Sequence, residues 1–421
     1  LISLYHPELV RGGAQTIAYE LFQGLRARPG ISVNLLTSID QTSPALYKAG
    51  ARITGFDGRP SEFLFLSRDY DYAWEKSGDE HLAEAFEDFL RLLQPDVVHF
   101  HHFMTFGIDY LTLTRRVLPA ARIVFTAHEF LTICAANGHM VRRTDQSLCA
   151  RASAVRCHQC LPVLPPEHYF IREMWMKAHL AVVDMITVPS RFMIAPFVAW
   201  GVPVKTLVHV TNGTDLPAPA AAVTREKRNC FGFFGQLVDV KGVHVLLAAV
   251  EILRAEGFTD FSVEINGDNA QFATPGRRAE LEAFMAAEGA LPFAARRVTF
   301  NGSYHPDQLP ALMARIDWCV VPSVWWEIFC LVISEAWHFG RPVIAGDRGG
   351  PAERITDGVD GLLFGIGDAR ALAAIMRRAS TEPGLWERLA GGIASPAGRD
   401  EMVEGMAAVY RGGGVSRLAA A

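Results

Sequence analysis

Short apolar runs rich in β-branched and aromatic residues alternate with longer stretches of helical periodicity, and the alternation starts twice. In the first half, Leu1–Leu4, Ser32–Thr37, Asp96–His101, Arg122–Thr126, Asp184–Val188 and Thr206–Val210 read as strands, with helices over Ala14–Arg28 and Glu80–Leu93. Strands separated by helices pair in parallel, with helices covering both faces of the sheet. Around Leu207–Asn229 the periodicity breaks at Asn212-Gly213, two prolines and an alanine run, as a linker does. The alternation then restarts. Strands are expected at Cys230–Gly235, Phe261–Asn266, Arg297–Phe300, Trp318–Pro322, Pro342–Ala345 and Gly361–Phe364. Helices are expected at Val243–Glu256, Pro306–Ala314, Leu331–Phe339, Ala369–Arg378 and Leu385–Ala390. The pattern predicts two doubly wound α/β domains facing each other across a cleft. They are 1–215, with a cysteine-rich insertion at about 130–165, and 229–395 beyond a linker at 216–228. Residues 396–421 form a helix or tail able to return to the first domain, its RGGGVSRLAAA end expected to fray.

Half of the 421 residues are hydrophobic and a fifth are charged, enough apolar material for two cores. Lys+Arg 40 against Asp+Glu 45 leaves a net charge of −5, so no global positive field holds a nucleic acid. The opening LISLYHPELVRGG lacks a basic-then-apolar leader, and no stretch is apolar enough to span a bilayer. Seven scattered cysteines, an odd number, argue against a secreted disulfide framework. A cytoplasmic, reducing setting is the expectation.

Ligands of doubly wound sheets bind beyond the carboxyl ends of the strands, where loops enter helices. Glu327 falls at such a turn, after Trp318–Pro322. The amides of Cys330, Leu331 and Val332 lead the next helix there and suit an anion. Glu335 follows on that helix, and carboxylates accept hydrogen bonds from sugar hydroxyls. Two glutamates eight apart also occur by chance; the aromatic and apolar setting of this pair is what lifts it above a solvated loop and an ordinary helix residue.

The stretch Pro322-Ser323-Val324-Trp325-Trp326-Glu327 through Glu335-Ala336 resembles the Glu-x7-Glu signature of retaining GT-B glycosyltransferases of family 4, the group 1, glycogen-synthase-like enzymes. Further matches follow in order over about nine-tenths of the chain. Gly12-Gly13-Ala14 resembles the glycine-rich first loop, and Thr126-Ala127-His128-Glu129 a Thr-x-His-Asp motif with Glu for Asp. Pro189-Ser190-Arg191 and Asn212-Gly213-Thr214-Asp215 resemble segments that close the first domain. Phe234-Gly235-Gln236-Leu237 with Lys241-Gly242 resembles the Gly-Arg-Leu-x-x-x-Lys-Gly loop, and Gly346 to Glu353 the Gly-Gly-x-x-Glu segment.

The resemblance implies two Rossmann-like domains and retaining transfer of a sugar from a nucleotide diphosphate sugar, UDP or GDP type, to an acceptor hydroxyl. The acceptor is a sugar, a lipid-linked or a small molecule, in polysaccharide, glycolipid or glycoconjugate synthesis. It implies that His128, Glu327 and Lys241 are catalytic. Gly12, Gly13, Gln236, Lys241, Glu327, Cys330, Leu331, Val332 and Glu335 bind the donor. Lys241 then faces the diphosphate, Glu327 the transferred sugar and Glu335 the ribose. No catalytic metal is required, because Lys241 and helix amides carry the leaving group's charge. Gln236 replaces the usual Arg, removing a positive charge, and Cys330 replaces the usual Gly.

Two features lie outside that pattern. Cys134, Cys149, Cys157 and Cys160 end in a Cys-x2-Cys pair, as in a structural zinc site, with unligated thiols the alternative. Arg142, Arg143, Arg151 and Arg156 accompany them, suiting an acidic acceptor or a solvated face. Tyr169–Lys177 mixes aromatics and bases at helical spacing; it reads as a core-facing helix, with peripheral contact to the inner membrane face the alternative. Of His99, His101 and His102, one at most is assigned to the acceptor side and the others to packing. The absence of Gly-x-Gly-x-x-Gly and of Gly-x4-Gly-Lys-Ser/Thr argues against a nicotinamide enzyme or a P-loop NTPase. A nucleotide-sugar epimerase and an inactive zinc-stapled binding protein are the remaining alternatives.

Overall fold

The computed structural model describes residues 1–39, 51–56, 58–67, 69–219 and 225–412. Part of the linker, 220–224, and the glycine-rich end beyond residue 412 lie outside the described residues. The chain divides into two compact units: Leu1–Asp215 together with the segment from Ala397 on, and Leu216–Pro396.

In the first unit the strands are β1 (Ile2–Tyr5), β2 (Leu35–Ile39), β3 (Ile53–Gly55), β4 (Glu62–Leu66), β5 (Tyr70–Asp71), β6 (Lys76–Ser77), β7 (Val97–Phe100), β8 (Arg122–Thr126), β9 (Met185–Val188) and β10 (Leu207–His209). The helices are α1 (Gly13–Arg26), α2 (Glu80–Leu93), α3 (Asp109–Val117), α4 (Ala154–Cys160), α5 (Pro166–Leu180) and α6 (Ile194–Trp200). Among the described residues eight strands form one sheet in the order β10-β9-β8-β7-β1-β2-β4-β3. Pairing is parallel as expected except for β3, which runs antiparallel to β4, with Thr54 opposite Leu64. A three-residue strand after a short connection can only double back, which the helix-linked pattern does not reveal.

Local chemistry explains the element boundaries. The Asp79 carboxylate caps α2 by accepting from the Leu82 amide at 3.1 Å, a contact worth about 1 kcal/mol. Its other end stops at Gln94, held in the left-handed region at φ 43°. Where Ser32–Thr37 was the expected strand, pairing with β1 and β4 shifts it to Leu35–Ile39, all five residues buried.

The second unit contains β11 (Cys230–Phe234), β12 (Ser262–Asn266), β13 (Val298–Gly302), β14 (Trp318–Val321), β15 (Val343–Gly346) and β16 (Gly361–Phe364). Its helices are α7 (Val243–Ala255), α8 (Pro275–Ala290), α9 (Leu309–Ala314), α10 (Leu331–His338), α11 (Gly349–Arg354), α12 (Ala369–Thr381) and α13 (Leu385–Gly392). The sheet order β13-β12-β11-β14-β15-β16 is all parallel and reverses direction between β11 and β14. That reversal opens a crevice beyond the strand ends, where ligands of such sheets bind. The helix expected over Pro306–Ala314 is split: a 3-10 turn at Pro306–Gln308 precedes α9.

A last helix, α14 (Arg399–Tyr410), belongs to the first unit and buries Met402, Val403, Met406 and Val409. It lies on α1, where Gly24 leaves room for Val403 and where Arg399 Nε donates to Glu20. Its Tyr410 hydroxyl reaches His99 Nδ1 at 2.7 Å.

Candidate active site

The candidate residues fall into two groups, one in each unit. In the second unit they gather at the β11–β14 reversal. The loop from β11 to α7 brings Lys241 there, and Gly242 makes the approach possible. It has φ +70°, and a Cβ on it would stand 1.9 Å from the Pro322 carbonyl oxygen at the end of β14. Only a glycine fits such a contact. The Val324 amide then donates to the Val240 carbonyl at 2.9 Å, tying the two loops together.

Lys241 Nζ donates to both carboxylate oxygens of Glu327, at 3.1 and 2.9 Å. Glu327 Oε2 also accepts from the Ser323 hydroxyl at 2.9 Å and the Trp325 indole N–H at 2.8 Å. Burial pushes the Glu327 carboxyl up, but the Lys241 ammonium and these hydrogen bonds outweigh it and hold the group below its ordinary range. For Lys241, burial works against the charge, and Glu327 more than restores it. Both groups are therefore ionised. The residue expected at the diphosphate and the residue expected at the sugar are thus paired with one another, and their two charges neutralise.

Behind this pair the chain enters α10. Cys330 caps the helix in the left-handed region at φ 64°, which explains why a glycine suits the position. Burial is the main cause that pushes its thiol up to about 12, so it stays protonated and is no nucleophile at neutral pH. Leu331 and Val332, the first helical residues, present amides that have no intrahelical acceptor, and Ile333 N–H already bonds the Cys330 carbonyl at 3.1 Å. Glu335 is half-buried one turn further on. Gln236 is exposed just beyond β11.

Arg354, at the end of α11, escaped the sequence reading. It donates to the carbonyls of Phe329 and Cys330 at 3.0 and 2.9 Å and to Ser334 Oγ at 2.7 Å, stacked on the Phe329 ring. Burial lowers its pKa to about 10, so it remains a cation and fixes the turn that aims the α10 amides. Its place directly after Glu353 in the Gly-Gly-x-x-Glu segment was the available signal. Gly350 N–H bonds the Glu327 carbonyl at 2.6 Å from the same helix.

In the first unit Gly12 precedes α1 with extended backbone and Gly13 begins the helix. His128 lies two residues beyond β8 and is half-buried, its pKa lowered by burial to about 4. All three histidines at the end of β7 are buried. His99 spans Thr126 Oγ1 and the Tyr410 hydroxyl, both at 2.7 Å, so both its ring nitrogens are engaged within the protein. His102 faces Glu129 at 3.5 Å, and that carboxylate raises its pKa against burial. His101 contacts His128 itself, which sequence spacing alone does not show.

The four cysteines of the insertion come from three places. Cys134 follows a buried turn, Cys149 a bridge between Val141 and Leu148, and Cys157 and Cys160 share one face of α4. All four line one void of about 20 Å³, roughly the space of a single water-sized sphere. None is in a disulfide. The zinc expectation thus meets proximity without coordination: among the described residues no three His, Cys, Asp or Glu side chains stand ready to hold a metal ion. Arg172 of α5 anchors the insertion by donating to the carbonyls of Leu131 and Thr132. The other face of α5 leaves Phe170, Ile171 and Met174 exposed, so the helix is core-facing on one side only. No helix among the described residues is long and apolar enough to cross a membrane.

Two doubly wound units with this crevice place the chain among GT-B glycosyltransferases by fold. Its similarity to sucrose-phosphate synthase from Thermosynechococcus elongatus has a TM-score of 0.71 at 20% identity, over 98% of both chains. Anabaena Alr3699/HepE in complex with UDP-glucose matches at 0.65 and 17%, over 98% of this chain and 99% of that one. Residues 11–217 match the model of Glycosyltransferase Family 4, and residues 228–382 that of Glycosyl transferases group 1. The chain belongs to the group 1, family 4 glycosyltransferases. The 2-deoxystreptamine glucosyltransferase of Streptomyces kanamyceticus is 31% identical over 153 residues, 36% of this chain and 36% of that protein. The D-inositol 3-phosphate glycosyltransferase of Nocardia farcinica is 28% identical over 279 residues, 64% of this chain. That stretch spans 55% of the relative, so the chain matches about half or less of both relatives' lengths.

Proposed function

We propose that this glycosyltransferase moves a sugar, with retention, from a UDP- or GDP-linked donor to the hydroxyl of a sugar, lipid-linked or small-molecule acceptor. The observation that carries the reading is the pairing of half-buried Lys241 with buried Glu327 beside the start of α10. A diphosphate entering there competes for the ammonium and meets the amides of Leu331 and Val332. Glu327, released from Lys241, accepts hydrogen bonds from sugar hydroxyls, and Glu335 does so from the ribose. The donor's bond from anomeric carbon to phosphate oxygen breaks as the acceptor oxygen bonds that carbon on the same face. The acceptor proton passes to the departing diphosphate, whose charge Lys241 and the helix amides stabilise without a catalytic metal. His128, neutral at physiological pH, donates a hydrogen bond to the transferred sugar. Support for a nucleotide-sugar donor comes from Alr3699/HepE, solved with UDP-glucose, and from relatives described as GDP-mannose-dependent.

Polysaccharide, glycolipid or glycoconjugate synthesis in the cytoplasm is part of the same proposal. For the insertion, the proposal is a structural zinc taken up by rotation of the four thiols onto the void they share. It extends to peripheral membrane contact through Phe170, Ile171 and Met174, with the exposed Arg143, Arg151 and Arg156 meeting anionic headgroups.

Protection against thermal unfolding by a panel of UDP-, GDP- and ADP-sugars tests the donor reading. One class is expected to stabilise the protein, and Glu335→Ala to weaken that effect. No stabilisation by any of them refutes the site.

A further inference from the structure

The histidines beyond β7 and β8 carry an inference that rests on the proposed role of His128. His101 Nδ1 lies 3.0 Å from His128 Nε2, with the ring planes 18° from parallel. Burial keeps both rings neutral. One nitrogen of the contact must therefore carry a proton and the other a lone pair, which allows two arrangements. If His128 donates from Nε2, His101 carries its own proton on Nε2. If His101 donates from Nδ1, its Nε2 is a bare acceptor and His128 is protonated on Nδ1.

His101 Nε2 decides between them. It is fully buried and has no hydrogen-bond partner. A buried N–H without an acceptor is rarer in folded proteins than a buried acceptor left bare. His99 offers no relief, because both its nitrogens are engaged by Thr126 and Tyr410. The strand geometry makes the contact durable: β7 and β8 pair in register from Val97 and Arg122 to Phe100 and Phe125, so their next residues leave the sheet side by side.

We propose that His101 is a positioning residue that donates Nδ1–H to His128 Nε2. It thereby locks His128 in the Nδ1–H tautomer and presents a donor nitrogen to the transferred sugar. The role is distinct from binding, since His101 is 1% exposed and reaches the reaction only through His128.

The test uses the full chain labelled with ¹⁵N-histidine, with His128→Asn assigning the His128 signals in long-range ¹H–¹⁵N spectra. His128 is expected to be protonated at Nδ1 and bare at Nε2. His101→Leu removes the donor and should shift His128 toward the Nε2–H tautomer. It should lower kcat about tenfold with donor KM within about twofold, a hydrogen bond's worth of barrier. His101→Asn keeps an N–H at the Nδ1 position and should restore both the tautomer and kcat to within about threefold. Protonation of His128 at Nε2 in the unmodified protein overturns the proposal, as does unchanged His128 chemistry in His101→Leu. Since the spectra need no turnover, a protein inert toward every donor sinks the transferase reading separately.

Discussion

Lys241 Nζ sits 2.9 Å from Glu327 Oε2, across 86 residues of sequence, and half-buried Lys241 and buried Glu327 form an ion pair in a site where each is expected to touch a different part of the donor. Such a pair leaves the two opposite charges neutralised. On the proposed function, each charge is released by a donor group that replaces it, so that binding and catalysis share the same contacts.

Lys241→Ala is accordingly expected to do two things. Loss of the charge facing the leaving group should cut kcat by about 100-fold or more. Leaving Glu327 buried and unpaired should cost about 3 kcal/mol in urea unfolding. Adding Glu327→Gln should recover most of the stability and none of the activity. Recovery of both, or loss of neither, contradicts the assignment.

Gly242→Ala probes how the loop is placed. Its Cβ has no room beside the Pro322 carbonyl, and the backbone is in the left-handed region. Destabilisation of about 3 kcal/mol is expected, with weakened protection by the donor, because Lys241 is displaced along with the loop. Gly257, also at positive φ but with nothing within 4 Å, serves as the control, where alanine should cost about 1 kcal/mol.

Acid should destabilise the first unit. His99 and His101 are held well below the ordinary histidine pKa by burial, and His128 at about 4. The unfolded chain binds protons there that the native state refuses. Stability is therefore full above about pH 6.5 and falls below it, by up to about 1.4 kcal/mol per pH unit for each ring. His102, raised by Glu129, opposes this by gaining stability at lower pH. Urea unfolding at about pH 7.5 and about pH 5 should show the net loss, and His99→Phe should reduce it. A stability that rises on acidification rules out the neutral cluster.

The thiol void has its own measurement. Protein purified without chelator should contain about one zinc per chain, released in parallel with the appearance of four titratable thiols. Metal-free protein whose four thiols titrate at once discards the zinc.

Vesicle flotation tests the exposed face of α5. Binding to anionic vesicles is expected and should be lost with Phe170→Ser together with Ile171→Ser, or by charge reversal at Arg151 and Arg156. No binding at low salt removes the membrane proposal.

Much of the fold is written in local pattern. Glu80–Leu93 and Arg122–Thr126 are read from sequence with the boundaries they have in the structure, because a clean periodicity coincides with a capping Asp79 in one and a β-branched and aromatic Ile123-Val124-Phe125 run lies between polar ends in the other. Elements without that contrast escape. The helix α8 buries only Leu281 and Glu288, so its sixteen residues show little stripe, and β3 has three residues that gain meaning only against β4.

The site divides along the same line. Order and spacing of the Lys241-Gly242, Glu327 and Glu335 segments identify the family, since each segment must follow a strand whose apolar run is visible. Which groups touch is another matter. The Lys241–Glu327 pair, the grip of Arg354 on the turn before α10 and the contact of His101 with His128 join segments far apart in the chain. Local sequence settles strands, helices and the loops between them, because backbone preference and amphipathic period act over a few residues. Partners of buried charges and ring nitrogens are fixed only when the sheet order brings distant loops together, because desolvated polar groups must take whatever neighbour the packing supplies.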